Sequence, residues 1–336
     1  MNSVPFTHLL RRPDAGSVLS LVAVVLFYVI FGGVNLGTLF AAASWLNFAA
    51  NLGIVAIPVG ILMIAGEMDI SIGAMIPAGS MSVAILSGHY GLPIEVGIIG
   101  SLSIGVIVGL INGVLAVRTS VPSLIITLGT LVAMQGVVLG ASVLLTGSAS
   151  VALTAPPLVH SIFGQLLGKG YQVIILWWLA VTAVYVVFVH YTRFGNWIFA
   201  MGGDRVSARN AGIPTQRLTI ALFVLSSTSA TFVGMCGAIL FNSAQVSGGM
   251  NYIFNAIVSV VVGGVLLTGG FGSIVGIFFG TLTFAIVSQG IYFTQIDRNW
   301  SALIIGVMLL AAVVMNNTFR RMALTYSPKK SVRTAK

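Results

Sequence analysis

The scarcity of charge constrains this chain more than any motif it contains. Only 6% of its 336 residues are charged, against 57% that are hydrophobic. Soluble domains draw about a quarter of their residues from Asp, Glu, Lys and Arg. So little charge cannot cover a water-exposed surface, and a mean hydropathy of +1.07 agrees. The expected fold is an all-α polytopic membrane protein. The single cysteine, Cys236, excludes a disulfide framework and a multi-cysteine metal site. A net charge of +9 would suggest nucleic acid in a soluble protein. Here membrane topology accounts for it, and no nucleic-acid partner is expected.

At about 20 residues per crossing, the apolar runs divide into about ten transmembrane helices. They fall at 18–36, 48–66, 70–87, 93–117, 123–145, 171–191, 218–240, 252–267, 274–292 and 301–316, all in one transmembrane domain, 1–336. The eighth is short and flanked by glycines, which leaves a partly re-entrant course open. The N-terminal MNSVPFTHLLRRPDAG has arginines before a long span but no clear small-residue cleavage site, so the first span is expected to be retained.

Basic residues orient the spans. With the N-terminus inside, Arg11, Arg12, Arg118, Arg193, Arg205, Arg209, Arg217, Arg320, Arg321, Lys329, Lys330, Arg333 and Lys336 fall on the cytoplasmic side. Only Lys169 and Arg298 fall outside. Thirteen against two obeys the positive-inside rule and places both termini in the cytoplasm. The longest outer loop, 146–170, carries Ser, Thr and the pair Pro156–Pro157, and should form a small structured cap.

The sequence also repeats. VGILMIAGEMDISIG, from Val59, aligns with VGGVLLTGGFGSIVG, from Val262, a spacing of 203 that pairs glycines 60, 66 and 73 with 263, 269 and 276. The same spacing lays the first span on the seventh and Arg118 on Arg321. Two parallel pseudo-repeats flanking a central pair of helices are expected, with a solute path between the halves. Gly97, Ser101, Gly105, Gly109 and Gly113 recur every four residues, as do Gly272, Gly276 and Gly280. Such faces allow close helix approach and are expected to pack inside the molecule rather than form a dimer seam.

Against this background the Arg-rich stretch 192–217, TRFGNWIFAMGGDRVSARNAGIPTQR, stands out. Its second part reads as a punctuated short helix. Asp204 is the N-cap, Gly212 the left-handed stop, Ile213 its hydrophobic follow-on and Pro214 the terminator. So short a helix is marginal alone, so something outside the segment should hold it. Arg205 and Arg209, one turn apart, would repel on an isolated helix.

Candidate chemistry is sparse. Glu67 and Asp69 in GEMDISIG point apart at i and i+2, and Asp69 or Ser71 suits the start of the third span. The four histidines show no metal-ligand spacing, and no catalytic constellation, metal site or cofactor site is found. A GxxxxGK[ST] phosphate loop is absent, so nucleotide energy would have to come from another subunit. Uncharged polar residues inside spans (Asn51, Asn112, Thr127, Gln135, Asn242, Gln245, Asn255 and Gln289) suit a hydroxylated neutral solute better than an anion.

Three ordered blocks carry a family resemblance across most of the chain. GEMDISIG resembles the GGIDLSVG-type signature of permease subunits of ribose-, xylose- and arabinose-class ABC importers. TRFGNWIFAMGGDRVSARNAGI resembles their cytoplasmic TRFGRYIYAIGGN…AARLSGI segment, and GLINGVLAVRTSVPSLIITLGT a further recurring block. The resemblance implies a non-enzymatic permease of the bacterial plasma (inner) membrane. It would pair with a second permease subunit, a cytoplasmic ATP-binding subunit and an external solute-binding protein, and pass a sugar. It assigns Gly195, Gly202, Gly203, Asp204, Arg209, Gly212 and Ile213 to ATPase coupling. Asn51, Asp69, Ser71, Asn112 and Thr127 are assigned to the translocation pathway. Two departures stand out: Glu67 replaces the second glycine of GGIDLS, and Arg205 and Val206 stand where acidic or small residues are common. The competing reading is a stand-alone ion-coupled secondary transporter with Glu67 or Asp69 as its ion site. A membrane-embedded enzyme would need an acid–base pair or metal cluster that the sequence does not offer.

Overall fold

The computed structural model describes residues 14–31, 38–293 and 298–300, with helical positions 303, 306, 307, 309–311, 313 and 314 beyond them. The expected end of the first span at 32–36, the basic residues of both tails and much of the tenth span lie outside the described residues. Within them the molecule is almost wholly helical. The elements are α1 (Ala15–Phe31), α2 (Leu39–Ile64), α3 (Ile72–Val83, extended by a π-helical turn Ala84–His89), α4 (Ile94–Arg118) and α5 (Ser123–Thr146). There follow α6 (Pro157–Phe163), α7 (Ile174–Tyr191), α8 (Arg193–Gly203), α9 (Arg205–Asn210), α10 (Thr215–Phe241), α11 (Met250–Val262) and α12 (Ile274–Gly290). Among the described residues seven helices are long and apolar enough to cross a membrane; Ala15–Ile30 and Met250–Val262 are shorter apolar helices.

Helix α2 is the axis of the bundle. Every residue from Leu52 to Ile64 is buried. A helix apolar on all sides belongs in an interior, which this one occupies between α7, α10, α11 and α12. It starts at Leu39, well before residue 48, because Thr38 caps it by accepting the Ala41 N–H at 3.2 Å. Helix α11 ends at Val262, short of the expected 267. Its 13 residues rise only about 20 Å, less than a hydrocarbon core of about 30 Å.

The small-residue faces are interior seams. All five residues of the Gly97–Gly113 series are buried. A methyl group added at Gly109 would lie 2.5 Å from the Val224 Cα, and one at Gly113 would lie 2.7 Å from the Ile220 Cα, so α4 meets α10 backbone to backbone. On α12 an added Cβ at Gly280 would collide with the Ser259 carbonyl of α11. Dispersion between closely apposed backbones supplies the association that the hydrophobic effect cannot supply in lipid.

Two helix interruptions meet at one end of the bundle. Gly66 follows α2 with φ +84°, and Gly269, 203 positions later, precedes α12 with φ +82°. A Cβ on Gly269 would lie 3.0 Å from the Gly66 Cα, so the two breaks touch. The Gly270 N–H donates to the Ile64 carbonyl at 2.8 Å, satisfying an α2 terminal acceptor across the repeat.

The opposite end carries the segments between α5 and α7 and between α10 and α11. The 146–170 segment is structured, as expected of it: β1 (Ser150–Ala152) pairs antiparallel with β4 (Ser243–Gln245), in register Val151 to Ala244. Helix α6 starts at Pro157, and β2 (Leu166–Leu167) pairs with β3 (Tyr171–Gln172). These short strands are the exception to an all-helical expectation.

Replacing Gly109 by Leu should therefore destabilise the α4–α10 seam by roughly 1–3 kcal/mol through overpacking. Thermal unfolding in detergent should show a lowered midpoint, while the same change at Gly140, whose added Cβ meets nothing within 4 Å, should leave it nearly unchanged.

Candidate functional site

Three polar regions stand out in an otherwise apolar molecule. The first is a cavity of about 610 Å³ at the end that carries β1 and β4. Ser44, Asn47, Asn51, Gln165, Gln172, Gln245 and Gln289 supply its polar wall, and Phe48, Phe163, Phe241 and Tyr252 its aromatic one. None of its described lining residues is charged. The Asn47 carboxamide oxygen accepts from the Gln172 backbone N–H at 2.8 Å, and its amide donates to the Gly170 carbonyl at 2.8 Å. Asn51, one turn on, donates to the Asn47 carbonyl at 2.8 Å and to Gln172 Oε1 at 3.1 Å. Fixed amides beside aromatic faces make a wall that presents both donors and acceptors to a neutral polar ligand.

Of the residues expected along a solute path, Asn51 alone lines this cavity; Gln245 and Gln289 from the wider polar set join it. Asn47, Gln165 and Gln172 were not singled out in the sequence. Asn47 was legible, since its i−4 spacing from Asn51 places both on one face of α2. Gln165 and Gln172 were not, because they lie on a loop and a short strand between α5 and α7.

The second region brings together the other four. Asp69 accepts from the Ser71 backbone N–H at 2.9 Å, from the Ser71 hydroxyl at 2.6 Å and from the Ser226 hydroxyl at 2.8 Å. Asn112 donates to Ser71 Oγ at 3.0 Å, and Thr130 donates to Asn112 Oδ1 at 2.6 Å. Thr127 Oγ accepts the Ile70 N–H at 3.3 Å and donates to the Ser123 carbonyl at 2.9 Å. Asp69, Ser71, Asn112 and Thr127 are all buried. Together they lash the loop between α2 and α3 to α4, α5 and α10. Asn51 lies 13 residues before the end of α2, roughly 20 Å along the axis from this knot.

The third region is the Arg-rich stretch, which is a pair of helices rather than a loop with one. Helix α8 was not expected; its caps read weakly in sequence, although Thr192 accepts the Phe194 N–H at 3.3 Å. Helix α9 follows the expected punctuation. Asp204 accepts the Ser207 N–H at 2.7 Å, and that contact holds its carboxyl below the usual carboxylate range. Gly212 takes φ +84°, with its N–H bonded to the Arg209 carbonyl and that of Ile213 to the Ala208 carbonyl. Gly195 packs on the Val189 carbonyl and Gly202 on the Ile64 carbonyl and Gly270 N, positions where any Cβ would collide. Gly203 faces open space and Arg209 is exposed. Arg193 stacks over Trp197 with 5.3 Å to the ring centre.

One contact joins the second and third regions. The Arg205 guanidinium donates to Glu67 Oε1 and, at 2.7 Å, to Thr219 Oγ. The two acidic residues of GEMDISIG thus have separate partners, as their i, i+2 spacing requires. Among the described residues no group of three or more His, Cys, Asp or Glu could hold a metal ion.

A helical bundle with an uncharged polar cavity at one end and a packed basic helix pair at the other has the form of a membrane transport subunit. The chain belongs to the family described as the permease component of branched-chain amino acid transport systems, whose profile matches residues 41–313. It is 29% identical over 314 residues to the fructose import permease protein FrcC of Rhizobium meliloti, covering 90% of this chain and 86% of that protein. With the autoinducer 2 import system permease protein LsrD of Photorhabdus luminescens it shares 30% identity over 263 residues, covering 78% and 79%. Among solved structures, PsaBC from Streptococcus pneumoniae in complex with Fab matches over 92% of this chain at 18% identity, with a TM-score of 0.44. The protein is a multi-pass membrane permease of an ATP-binding-cassette importer, in which ATP hydrolysis belongs to a separate subunit.

Removing the Ser226 hydroxyl by Ser226→Ala takes one donor from a buried carboxylate. It should cost roughly 1–3 kcal/mol of stability, read as a lowered unfolding midpoint, with Ser229→Ala as the partly buried control on the same helix.

Proposed function

We propose that this chain is one of two permease subunits that pass a monosaccharide or a sugar-like neutral solute inward, handed over by an external binding protein. The observation that carries the reading is the uncharged, amide- and aromatic-lined cavity. Hydroxyl groups need both donors and acceptors, and apolar sugar faces pack on aromatic rings, whereas an anion would call for arginine. Relatives named for fructose and autoinducer 2 import are in keeping with a small hydroxylated cargo. In this reading Asn51 touches solute, and Asp69, Ser71, Asn112 and Thr127 brace the inner part of the pathway.

Both termini face the cytoplasm, because that orientation alone gathers thirteen of fifteen basic residues inside. Helices α8 and α9 then form the cytoplasmic surface on which the ATP-binding subunit docks. Gly195 and Gly202 let the pair press against the bundle, Asp204, Gly212 and Ile213 fix the shape of α9, and Gly203 and Arg209 face the partner. The ion-coupled alternative needs a carboxylate free to exchange an ion. Asp69 is held by three hydrogen bonds and Glu67 by a guanidinium, which favours the ATP-driven reading.

In proteoliposomes with its ATP-binding subunit and binding protein, uptake of at least one of D-ribose, D-xylose, L-arabinose and D-fructose should require ATP. It should fall roughly tenfold or more with Asn51→Leu, since an unpaired sugar hydroxyl costs about 1–3 kcal/mol. ATP-independent uptake dissipated by an ionophore would overturn the reading. Gly203→Asp should leave the permease folded but abolish co-purification of the ATP-binding subunit. A cysteine placed at Ser247 should react with an impermeant maleimide from outside intact cells, and one at Arg209 only after permeabilisation.

A further inference from the structure

The geometry points to Glu67 and Arg205 as a paired positioning element that carries movement of the α8–α9 surface into the solute pathway. This rests on the docking role given above to those helices. Both residues depart from the pattern that their blocks otherwise resemble, one adding a negative charge and the other a positive one. In the structure the two departures meet. Arg205 opens α9, 138 positions from Glu67 in the chain, and its fork also reaches Thr219 in the first turns of α10. Glu67 is only 9% exposed, whereas the Arg205 side chain is 41% exposed at the rim.

The burial is lopsided, and that decides what the pair can do. A solvent-facing ion pair contributes little to stability. A nearly buried carboxylate with one cationic partner is different, because it is left uncompensated whenever that partner moves away. Glu67 therefore has a strong preference for where Arg205, and with it the start of α9, can sit. From Glu67 the connection inward is short. The Met68 N–H donates to Ser123 Oγ at 3.1 Å, and Asp69 follows with its bonds to Ser71 and Ser226. The Gly202 backbone, pressed on the Ile64 carbonyl, blocks α8 from approaching further but does not pull. The ion pair adds the attractive link, so withdrawal of α9 draws the α2–α3 loop with it.

The test uses the complete importer in proteoliposomes with two readouts, co-purification of the ATP-binding subunit and uptake per ATP hydrolysed for the fastest of the four sugars named above. The variants are Glu67→Gln, Arg205→Gln, the double-neutral combination and the charge swap Glu67→Arg with Arg205→Glu. The double-neutral protein leaves no unpaired charge, so it keeps the test decisive even if a single variant fails to accumulate. Expected is retained ATP-binding subunit with uptake per ATP lowered roughly fivefold in the double-neutral protein. The swap should recover at least about threefold more than independent effects would allow. Wild-type uptake per ATP in the double-neutral protein, or a swap no better than it, would overturn the proposal. Loss of docking through Gly203→Asp reports on the docking role separately: if that variant still binds the ATP-binding subunit, the failure belongs to that role and not to the ion pair.

Discussion

The structure depends on the meeting of two interrupted helices. Where α2 and α11 end, the last helix carbonyls lose their intrahelical partners, and in a membrane protein such acceptors must be answered from elsewhere in the chain. Left-handed glycines at 66 and 269 turn the chain sharply enough for the two breaks to touch, and Gly270 answers the Ile64 carbonyl across the repeat. The positive φ at 66 and 269 favours glycine, a Cβ on Gly269 would crowd the Gly66 backbone at 3.0 Å, and at Gly202 of α8 a Cβ would collide with the Ile64 carbonyl. That hydrogen bond and the close glycine packing around it are thus what let the basic helix pair sit against the end of α2.

From this junction the polar groups divide by depth rather than by sequence block. In the Asp69–Ser71–Asn112–Thr130 knot the first three side chains are buried and bonded to one another, and the half-buried Thr130 closes the chain at its edge. The amides at the far end of α2 face a cavity. A buried polar network that is fully satisfied rigidifies its surroundings, whereas amides on a cavity wall stay available to a ligand. The same helix therefore lines a cavity with held amides near one end and runs into a braced loop at the other.

Much of the architecture was legible because membrane burial leaves strong one-dimensional signals. The glycine series of α4 announced an interior seam, and Asp204 with Gly212–Pro214 announced α9, because caps and close contacts depend on local residue type. Helix α8 was missed because its starting cap, Thr192, is a weak signal inside a mixed stretch. Gln165 and Gln172 were missed because strand pairing of a few residues between α5 and α7, not periodicity, brings them to the cavity. Asn51 was grouped with Asp69, Ser71, Asn112 and Thr127 on block order, yet the length of α2 holds it apart from them.

The sequence by itself determined the membrane class, the rough position of the long apolar helices and the punctuation of α9, since hydropathy, spacing and capping act over a few turns of chain. Only the tertiary structure decided which polar residues share a cavity, which are spent bracing a loop, and that Glu67 answers Arg205 across 138 positions. Those outcomes turn on the direction and burial of side chains brought together from distant helices, and no local pattern encodes them.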